Sequence, residues 1–382
     1  MFKNEVAEFI YKRTYSRWME DEGRREEWPE TIERFINFLV LKNGEKIPEK
    51  TVKKIRQYML EFAVMPSMRF LWSAGPAAEK DNTVIYNCSF AKLNCVEAFA
   101  ECLHILMCGT GFGFSVEEDE VSKLPSIPEI KSGKDIVREV IDDSREGWAD
   151  SVKTLMTSLY DGQNLYFDYS QLRPEGARLS TMGGRSSGPQ PLIKLHDFIR
   201  ETMHNAQGRK LTSLECHDIA NQIAEIVVAG GVRRSSQISL SDLNDEDMRH
   251  AKDWPFPIRR AMANNSAIYR EKPAAADFLV EWGVLAKSGS GERGIFNLES
   301  AQNQAPARRY SSKIQGTNPC GESMLRDMEF CNLSEVVIRE EDELDALVDK
   351  VETATWLGGL QSTFTGVPYL RKQWKKNCAV ER

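Results

Sequence analysis

Gln315-Gly316-Thr317-Asn318-Pro319-Cys320-Gly321-Glu322 places a thiol between an amide and a carboxylate, and a second cysteine follows in Phe330-Cys331-Asn332-Leu333. Pro319 fixes φ and Gly321 relaxes it, so the turn from Asn318 to Glu322 can be tight enough to hold Cys320 at a loop tip. An outward-aimed thiol beside groups that carry or polarise protons is equipped for thiol chemistry with acid–base help. It is an odd set for a turn that only joins two elements. The same residues admit a plainer reading, a free, buried cysteine behaving as a small hydrophobe, and on this stretch alone both stay open.

The elements that must position the loop begin with helices. In Trp28-Pro29-Glu30-Thr31-Ile32-Glu33-Arg34-Phe35-Ile36-Asn37-Phe38-Leu39, Pro29 and Glu30 suit a first turn, and Ile32, Phe35, Ile36 and Leu39 form an apolar stripe that Asn43-Gly44 ends. Pro48 opens another helix, with Val52, Ile55, Met59 and Phe62 inward. Met65-Pro66-Ser67 breaks the pattern, and 68–74 with 84–90 reads as extended sequence around a Gly75-Pro76 turn, Cys88 lying in the second stretch. A helix follows over 96–108, on or beside which Cys95, Cys102 and Cys108 mark one buried face and His104 packs. Gly109-Thr110-Gly111-Phe112-Gly113-Phe114 reads as a glycine-rich turn where backbone approaches a ligand; it lacks the G-x-G-x-x-G spacing and follows a helix, so it is a poor dinucleotide fingerprint.

A second glycine loop, Met182-Gly183-Gly184-Arg185-Ser186-Ser187-Gly188-Pro189, precedes a helix over 192–204, and its arginine and serines could contact an anion. Thr212-Ser213-Leu214-Glu215 is a capping box for a helix reaching 228, stopped by Gly230-Gly231. Strands are expected over 232–240, 265–269 and 294–298, with helices over 242–252 and 277–287 between them and a last helix over 341–363. That alternation belongs to an α/β layer or barrel. The expected division is a helical domain over 1–64 and an α/β part over 65–382.

At 382 residues the chain can hold one large domain or two ordinary ones with ample core. It is 41% hydrophobic, 28% charged and 9% aromatic, the composition of a soluble globular protein. No apolar run approaches the ~18 residues of a membrane helix, and the acidic, amphipathic start from Met1 to Ile10 is not a secretory signal. A net charge of −7 and a pI of about 5.5 argue against a duplex nucleic-acid surface. Eight cysteines without C-x2-C pairs or neighbouring histidine pairs fit neither a zinc ribbon nor a disulfide scaffold. Reduced thiols in a cytoplasm, a host's if the source is viral, are the expectation.

Asn318-Pro319-Cys320-Gly321-Glu322, Phe330-Cys331-Asn332-Leu333 and Asn87-Cys88-Ser89-Phe90 together resemble the catalytic signature of ribonucleotide reductase large subunits, and the N-P-C-G-E form is most similar to the adenosylcobalamin-dependent, class II enzymes. Tyr11-Lys12-Arg13-Thr14-Tyr15-Ser16-Arg17-Trp18, Leu172-Arg173-Pro174-Glu175-Gly176-Ala177, residues 183–191, Val228-Ala229-Gly230-Gly231-Val232-Arg233-Arg234-Ser235 and Asn264-Asn265-Ser266 match in family order. The resemblance implies reduction of ribonucleotides to deoxyribonucleotides. Cys320 would carry a thiyl radical that abstracts the 3′-hydrogen, Glu322 would accept the 3′-OH proton and Asn318 would hold the hydroxyls. Cys88 and Cys331 would supply two electrons and end as a disulfide. It further implies substrate contacts at Ser67, Asn87, Gly111, Pro319 and Gly321, with Ser67 at the start of the first strand. An effector loop is implied at Gly183, Gly184, Arg185, Ser186, Ser187 and Gly188, together with adenosylcobalamin and a dNTP or ATP effector as cofactors; no residue is assigned to a metal.

The implied fold is a ten-stranded α/β barrel of two five-stranded halves, with the radical-cysteine finger loop threaded through the middle. This chain would hold a helical N-terminal domain, the first half-barrel, the loop around 315–322 and roughly the first strand of the second half. Strands, a phosphate loop and a C-terminal cysteine pair would then come from a separate chain carrying the C-terminal half, as in a split enzyme, with a truncated enzyme the lesser alternative; that chain is the expected partner beside ribonucleotide substrate and a thioredoxin- or glutaredoxin-like reductant. No long insertion precedes the Gly111 loop, which favours a homodimer as the effector platform. The alternatives are a class I-type catalytic subunit with a separate radical-generating subunit, and a non-catalytic nucleotide-binding fragment.

Overall fold

The computed structural model describes residues 2–44, 47–131, 138–179, 185–229 and 235–380. It divides into two compact units, Met1–Asn87 with Cys331–Arg382, and Cys88–Phe330. The division differs from the expected boundary after residue 64. The reason is visible inside the first unit: strand Ser334–Val336 pairs antiparallel with Val64–Pro66, and the Leu344–Gln361 helix packs on both and on the helices Trp28–Asn43 and Glu49–Leu60. The chain after Cys331 thus belongs with the N-terminal helices.

In that unit the expected stripe of the Trp28–Asn43 helix is its buried face, with Ile32, Phe35, Ile36 and Leu39 inside. Glu27 and Glu30 form a reciprocal capping box at its start, with proline in the first turn. Residues 68–74 are not extended: Met68–Ser73 is a short helix that the Ser67 hydroxyl caps by accepting from the Phe70 N–H, and Pro76–Lys80 is another, opened by its proline. A short apolar run has no period long enough to separate strand from helix. Here the cap and the packing of Phe70 against Phe35 and Phe364 select the helix.

The second unit is built on a sheet. Its strands are β1 (Cys88–Lys92), β2 (Gly111–Ser115), β3 (Gln237–Asp242), β4 (Ala263–Tyr269), β5 (Gly294–Asn297) and β6 (Glu329–Cys331), ordered β5-β4-β3-β2-β1-β6. From β1 to β5 every neighbouring pair is parallel, with Cys88 opposite Gly111, Phe112 opposite Gln237, Gln237 opposite Ala263, and Gly294 opposite Ser266. The connecting helices are α1 (Val96–Met107), α2 (Arg145–Tyr160), α3 (Gln190–Asn205), α4 (Ser213–Ala229) and α5 (Ala275–Ser288). α1 packs on α2 and α4, and α4 on α3. The helix expected over 242–252 contracts to the single turn Glu246–Arg249, and the start of the strand expected over 232–240 lies outside the described residues up to Arg234.

The expected glycine turn around Gly111 is strand β2 instead. Glycine inside a strand marks a place where another backbone comes close. At Gly113 an added Cβ would stand 2.3 Å from the Thr317 carbonyl oxygen. Among the described residues no helix is long and apolar enough to cross a membrane.

Candidate active site

Cys320 sits at the tip of a two-stranded finger. Gly316–Thr317 pairs antiparallel with Met324–Leu325, and the Gln315 N–H donates to the Leu325 carbonyl at 2.9 Å. At the tip the Gly321 N–H donates to the Asn318 carbonyl at 3.0 Å, closing a four-residue turn with proline second and glycine last. Gly321 has φ +85°, a region other residues enter at a cost. The finger lies on β1 and β2 because two glycines allow it. A Cβ on Gly113 would strike the Thr317 carbonyl, and one on Gly316 would lie 2.2 Å from the Phe90 ring.

The turn also fixes its polar groups. Asn318 is fully buried; its Oδ1 accepts from the Ser323 N–H at 2.9 Å and its Nδ2 donates to Glu322 Oε1 at 2.8 Å. Thr317 Oγ1 donates to the Ser323 carbonyl at 3.1 Å and reaches Asn318 Oδ1 at 3.3 Å. The amide orientation is therefore set by backbone and hydroxyl partners, leaving the Glu322 carboxylate exposed beside the thiol. At the base, Arg309 donates to the Met324 carbonyl at 3.0 Å and stands 3.3 Å from buried Glu329, whose carboxyl burial pushes up.

Cys320 is exposed and Pro319 buried beneath it. The thiol is hydrogen-bonded to the thiol of Cys88, the first residue of β1. Partial burial, then the neighbouring Cys88, then Glu322 push Cys320 up to about 11, so it holds its proton at neutral pH. Nucleophilic cysteines are held as thiolates by a lowered pKa; this environment does the opposite and preserves an S–H bond. Gly111 completes the seat: a Cβ there would meet Cys88 Sγ at 3.0 Å and Pro319 Cγ at 3.2 Å.

The structure therefore brings together Cys88, Gly111, Asn318, Pro319, Cys320, Gly321 and Glu322. Cys331 is buried at the end of β6, in the other compact unit, where its carbonyl accepts the Asn87 N–H at 3.2 Å; Asn87 Oδ1 is buried without a hydrogen-bond partner. No disulfide joins any of the eight cysteines. Ser67 is not at the start of a strand: it follows one, and its buried hydroxyl donates to the Ile85 carbonyl at 3.3 Å as well as capping a helix. Of the effector loop, Gly183 and Gly184 lie outside the described residues. Arg185 donates to the Gly176 carbonyl at 2.8 Å, Ser186 exchanges backbone bonds with Gly176 and Ala177, the Ser187 hydroxyl donates to the Gly188 carbonyl at 3.4 Å, and Gly188 has φ +70°. The sequence reading missed Gly113, Gly316, Phe90 and Thr317. Gly316 and Thr317 stand inside the quoted motif, and glycines at alternate positions of 109–113 were the available signal.

The family model described as ribonucleotide reductase alpha domain matches residues 1–76, and the one described as B12-dependent ribonucleotide reductase, insertion domain, matches 119–203. Proteins named adenosylcobalamin-dependent ribonucleoside-triphosphate reductase from Lactobacillus gasseri and Lactobacillus leichmannii are 30% and 28% identical, over 87% and 88% of this chain and 54% and 55% of their own length. A crystal structure of a B12-dependent (class II) ribonucleotide reductase superposes with a TM-score of 0.81 at 24% identity, covering 96% of this chain and 60% of that one. The alpha subunit of a class Id enzyme from Actinobacillus ureae follows at 0.54 and 12%. A half-barrel of parallel strands carrying a cysteine-tipped finger is the catalytic-subunit fold of ribonucleotide reductases. The chain has that fold, two ribonucleotide reductase family models match parts of it, one of them B12-dependent, and it spans about half the length of the curated relatives it matches. The insertion-domain match lies after Gly111, over 119–203.

Proposed function

We propose that this chain is the half of an adenosylcobalamin-dependent ribonucleotide reductase that carries the radical cysteine, active when joined by a polypeptide supplying the rest of the fold. The observation that carries the reading is the Cys320 thiol: exposed at a finger tip, protonated, hydrogen-bonded to Cys88 and backed by the Asn318–Glu322 pair. The name of the Lactobacillus relatives points to ribonucleoside triphosphates as substrate.

Cys320 takes the 3′-hydrogen of the ribose as an atom and returns it after reduction. Glu322 accepts the 3′-OH proton, and Asn318, held by Thr317, Ser323 and Glu322, polarises the hydroxyls. Cys88 and Cys331 each give up one electron and one proton, the 2′-hydroxyl leaves as water, and the two sulfurs join. A thioredoxin- or glutaredoxin-like dithiol reduces them again. Residues 119–203 and the 185–188 loop are assigned to effector recognition.

Adenosylcobalamin, when bound, supplies the one-electron oxidising equivalent. The residues fit such a source: Cys320 keeps its S–H bond, and nothing stands within 4 Å of where a Gly321 side chain would begin, so a bulky group can approach the tip. The test is deoxynucleotide formation by the chain with its complement, with and without adenosylcobalamin. Cys320→Ser is expected to abolish turnover while nucleotide binding persists; turnover that survives the substitution removes Cys320 from the radical role.

A further inference from the structure

Cys88 has two prospective partners. The proposed reaction joins it to Cys331, yet in the fold its thiol is hydrogen-bonded to that of Cys320. Cys88 and Cys320 belong to one compact unit, 88–330, whereas Cys331 is part of the other.

The meeting of Cys88 and Cys320 is built from both sides. Cys88 is the first residue of β1 and stands opposite Gly111 of β2 in the parallel register. A Cβ on Gly111 would lie 3.0 Å from Cys88 Sγ and 3.2 Å from Pro319 Cγ, so the thiol and the residue just before Cys320 rest on the same bare stretch of backbone. Glycine inside a strand is what permits such an approach. From the other side, the bond from the Gly321 N–H to the Asn318 carbonyl, at 3.0 Å, closes the turn that carries Cys320. The turn is held through Asn318, by Ser323 at 2.9 Å and Glu322 at 2.8 Å, and nothing lies within 4 Å of where a Gly321 side chain would begin. The backbone is fixed, and the Cys320 side chain has room to rotate onto its neighbour. The two thiols also differ in access: Cys320 is the one exposed cysteine of the eight, while Cys88 is 7% exposed. A small disulfide in solution therefore reaches Cys320 first.

We propose that Cys88 and Cys320 form a disulfide that competes with the Cys88–Cys331 bond, a resting form of the site in which the buried sulfur ties up the exposed one. The step is thiol–disulfide exchange with a small-molecule disulfide. The Cys320 sulfur attacks one sulfur of the reagent, its proton leaves with the first released thiol, and a mixed disulfide forms. The Cys88 sulfur then displaces the second thiol, giving up its own proton. Two protein thiols lose two electrons and two protons, and the reagent becomes two thiols. In this form Cys320 has no S–H bond and Cys88 no thiol, so the proposed chemistry cannot start until a dithiol reopens the bond. Because Cys320 keeps its proton at neutral pH, the first attack is slow, and the site answers a lasting loss of reductant rather than a brief one. Formation of the bond rests on the geometry alone; its meaning as an off state rests on the reductase reading above.

The test is disulfide mapping on the full 382-residue chain, oxidised with glutathione disulfide, alkylated in denaturant and digested with trypsin without reduction. Cleavage after lysine and arginine puts the three sulfurs on separate peptides, Cys88 on 81–92, Cys320 on 314–326 and Cys331 on 327–339. The expected result is a covalent pair of 81–92 with 314–326, Cys331 recovered alkylated, and the same pair from the Cys331→Ser chain. Dithiothreitol should dissolve it. In the chain joined by its complement, deoxynucleotide formation should be lost as the pair accumulates and return on reduction. Linkage of 81–92 to 327–339 alone overturns the proposal and leaves the reductase reading standing. So does Cys320 recovered alkylated, or still carrying glutathione, beside an alkylated Cys88. Full turnover by enzyme in which the pair has formed overturns the off state. Enzyme that makes no deoxynucleotide even before oxidation counts against the reductase reading, and the mapping still decides the bond.

Discussion

Gly316→Ala is the perturbation that best isolates how the thiol is held. The added methyl would stand 2.2 Å from Phe90 Cζ and 2.3 Å from Cε2. Carbon atoms pack comfortably at about 3.5 Å, so ring or finger must give by about 1.3 Å. The Phe90 ring is fully buried and cannot swing into solvent, and the finger cannot sink elsewhere because the Thr317 carbonyl already rests on Gly113. Overpacking of this kind costs about 1–3 kcal/mol. For a unit of this size that lowers the melting temperature by roughly 2–10 °C. A displacement of about 1 Å at the reacting thiol is worth about 10²-fold in turnover. Activity should therefore fall much further than stability. Thermal unfolding of the chain and deoxynucleotide formation by the complemented enzyme measure the two. Phe90→Leu removes the outer ring atoms that the methyl meets, so the double variant should regain at least ~0.5 kcal/mol relative to the sum of the singles. Gly321→Ala is the contrast: its Cβ meets nothing within 4 Å, and it should show only the ~1–2 kcal/mol of left-handed strain. If Gly316→Ala melts and turns over like the wild type, or if its cost is unchanged in the Phe90→Leu background, the ring does not seat the finger.

Other outcomes follow from the same contacts. Alkylation of Cys320 by iodoacetamide should rise through about pH 11 in the folded chain rather than the ordinary 9; the folded thiol keeps its proton where the unfolded one loses it, so this group's contribution to stability is full below pH 9 and declines as pH climbs towards 11. An alkylation midpoint at or below 9 would contradict the thiol's environment. Thr317→Val removes the hydroxyl that reaches Asn318 Oδ1 and the Ser323 carbonyl, and should cost about 1 kcal/mol and lower kcat with substrate affinity unchanged. An unchanged kcat would show that Ser323 and Glu322 suffice to hold the amide. Glu281→Gln leaves two buried arginines facing a neutral amide and should destabilise the chain by about 3–5 kcal/mol, read by denaturant unfolding; a loss under 1 kcal/mol would mean that the cluster does not fasten α5.

The tip of the finger was more legible in the sequence than the surface that holds it. A thiol, an amide and a carboxylate on one tight turn are dictated residue by residue, and Pro319 and Gly321 announce the turn through their own backbone limits, so the tip could be read without a fold. The seat beneath it could not. That Gly113 and Gly316 are glycines is explained by Thr317 and Phe90, atoms brought near only when β1, β2 and the finger assemble; nothing local distinguishes them from turn glycines, and 109–113 was accordingly read as a loop. Residues 68–74 failed for a related reason, since a six-residue apolar run gains its helical identity from the Ser67 cap and from packing on Phe35 and Phe364. Helix α5 was placed correctly by its propensities, but its facing was not readable. The period locates an apolar stripe, and only the two arginines arriving from Arg249 and Arg293 turn the opposite side inward.

These observations bear on what kind of sulfur chemistry the finger can host. A thiol used as a nucleophile needs a cation or a helix N-terminus to stabilise its anion. Around Cys320 the neighbouring groups are another thiol and a carboxylate, both of which oppose ionisation. Such a sulfur is a poor nucleophile at neutral pH and a good carrier of a hydrogen atom, because transfer of the atom leaves the site's charge unchanged and demands no reorganisation of the Asn318–Glu322 pair. The same carboxylate that suppresses the thiolate stands free on its exposed side to take a proton from a hydroxyl. Under the proposed function one side chain would serve two ends, adding to the burial and the neighbouring thiol that keep the sulfur protonated and supplying the base that a neutral sulfur cannot be.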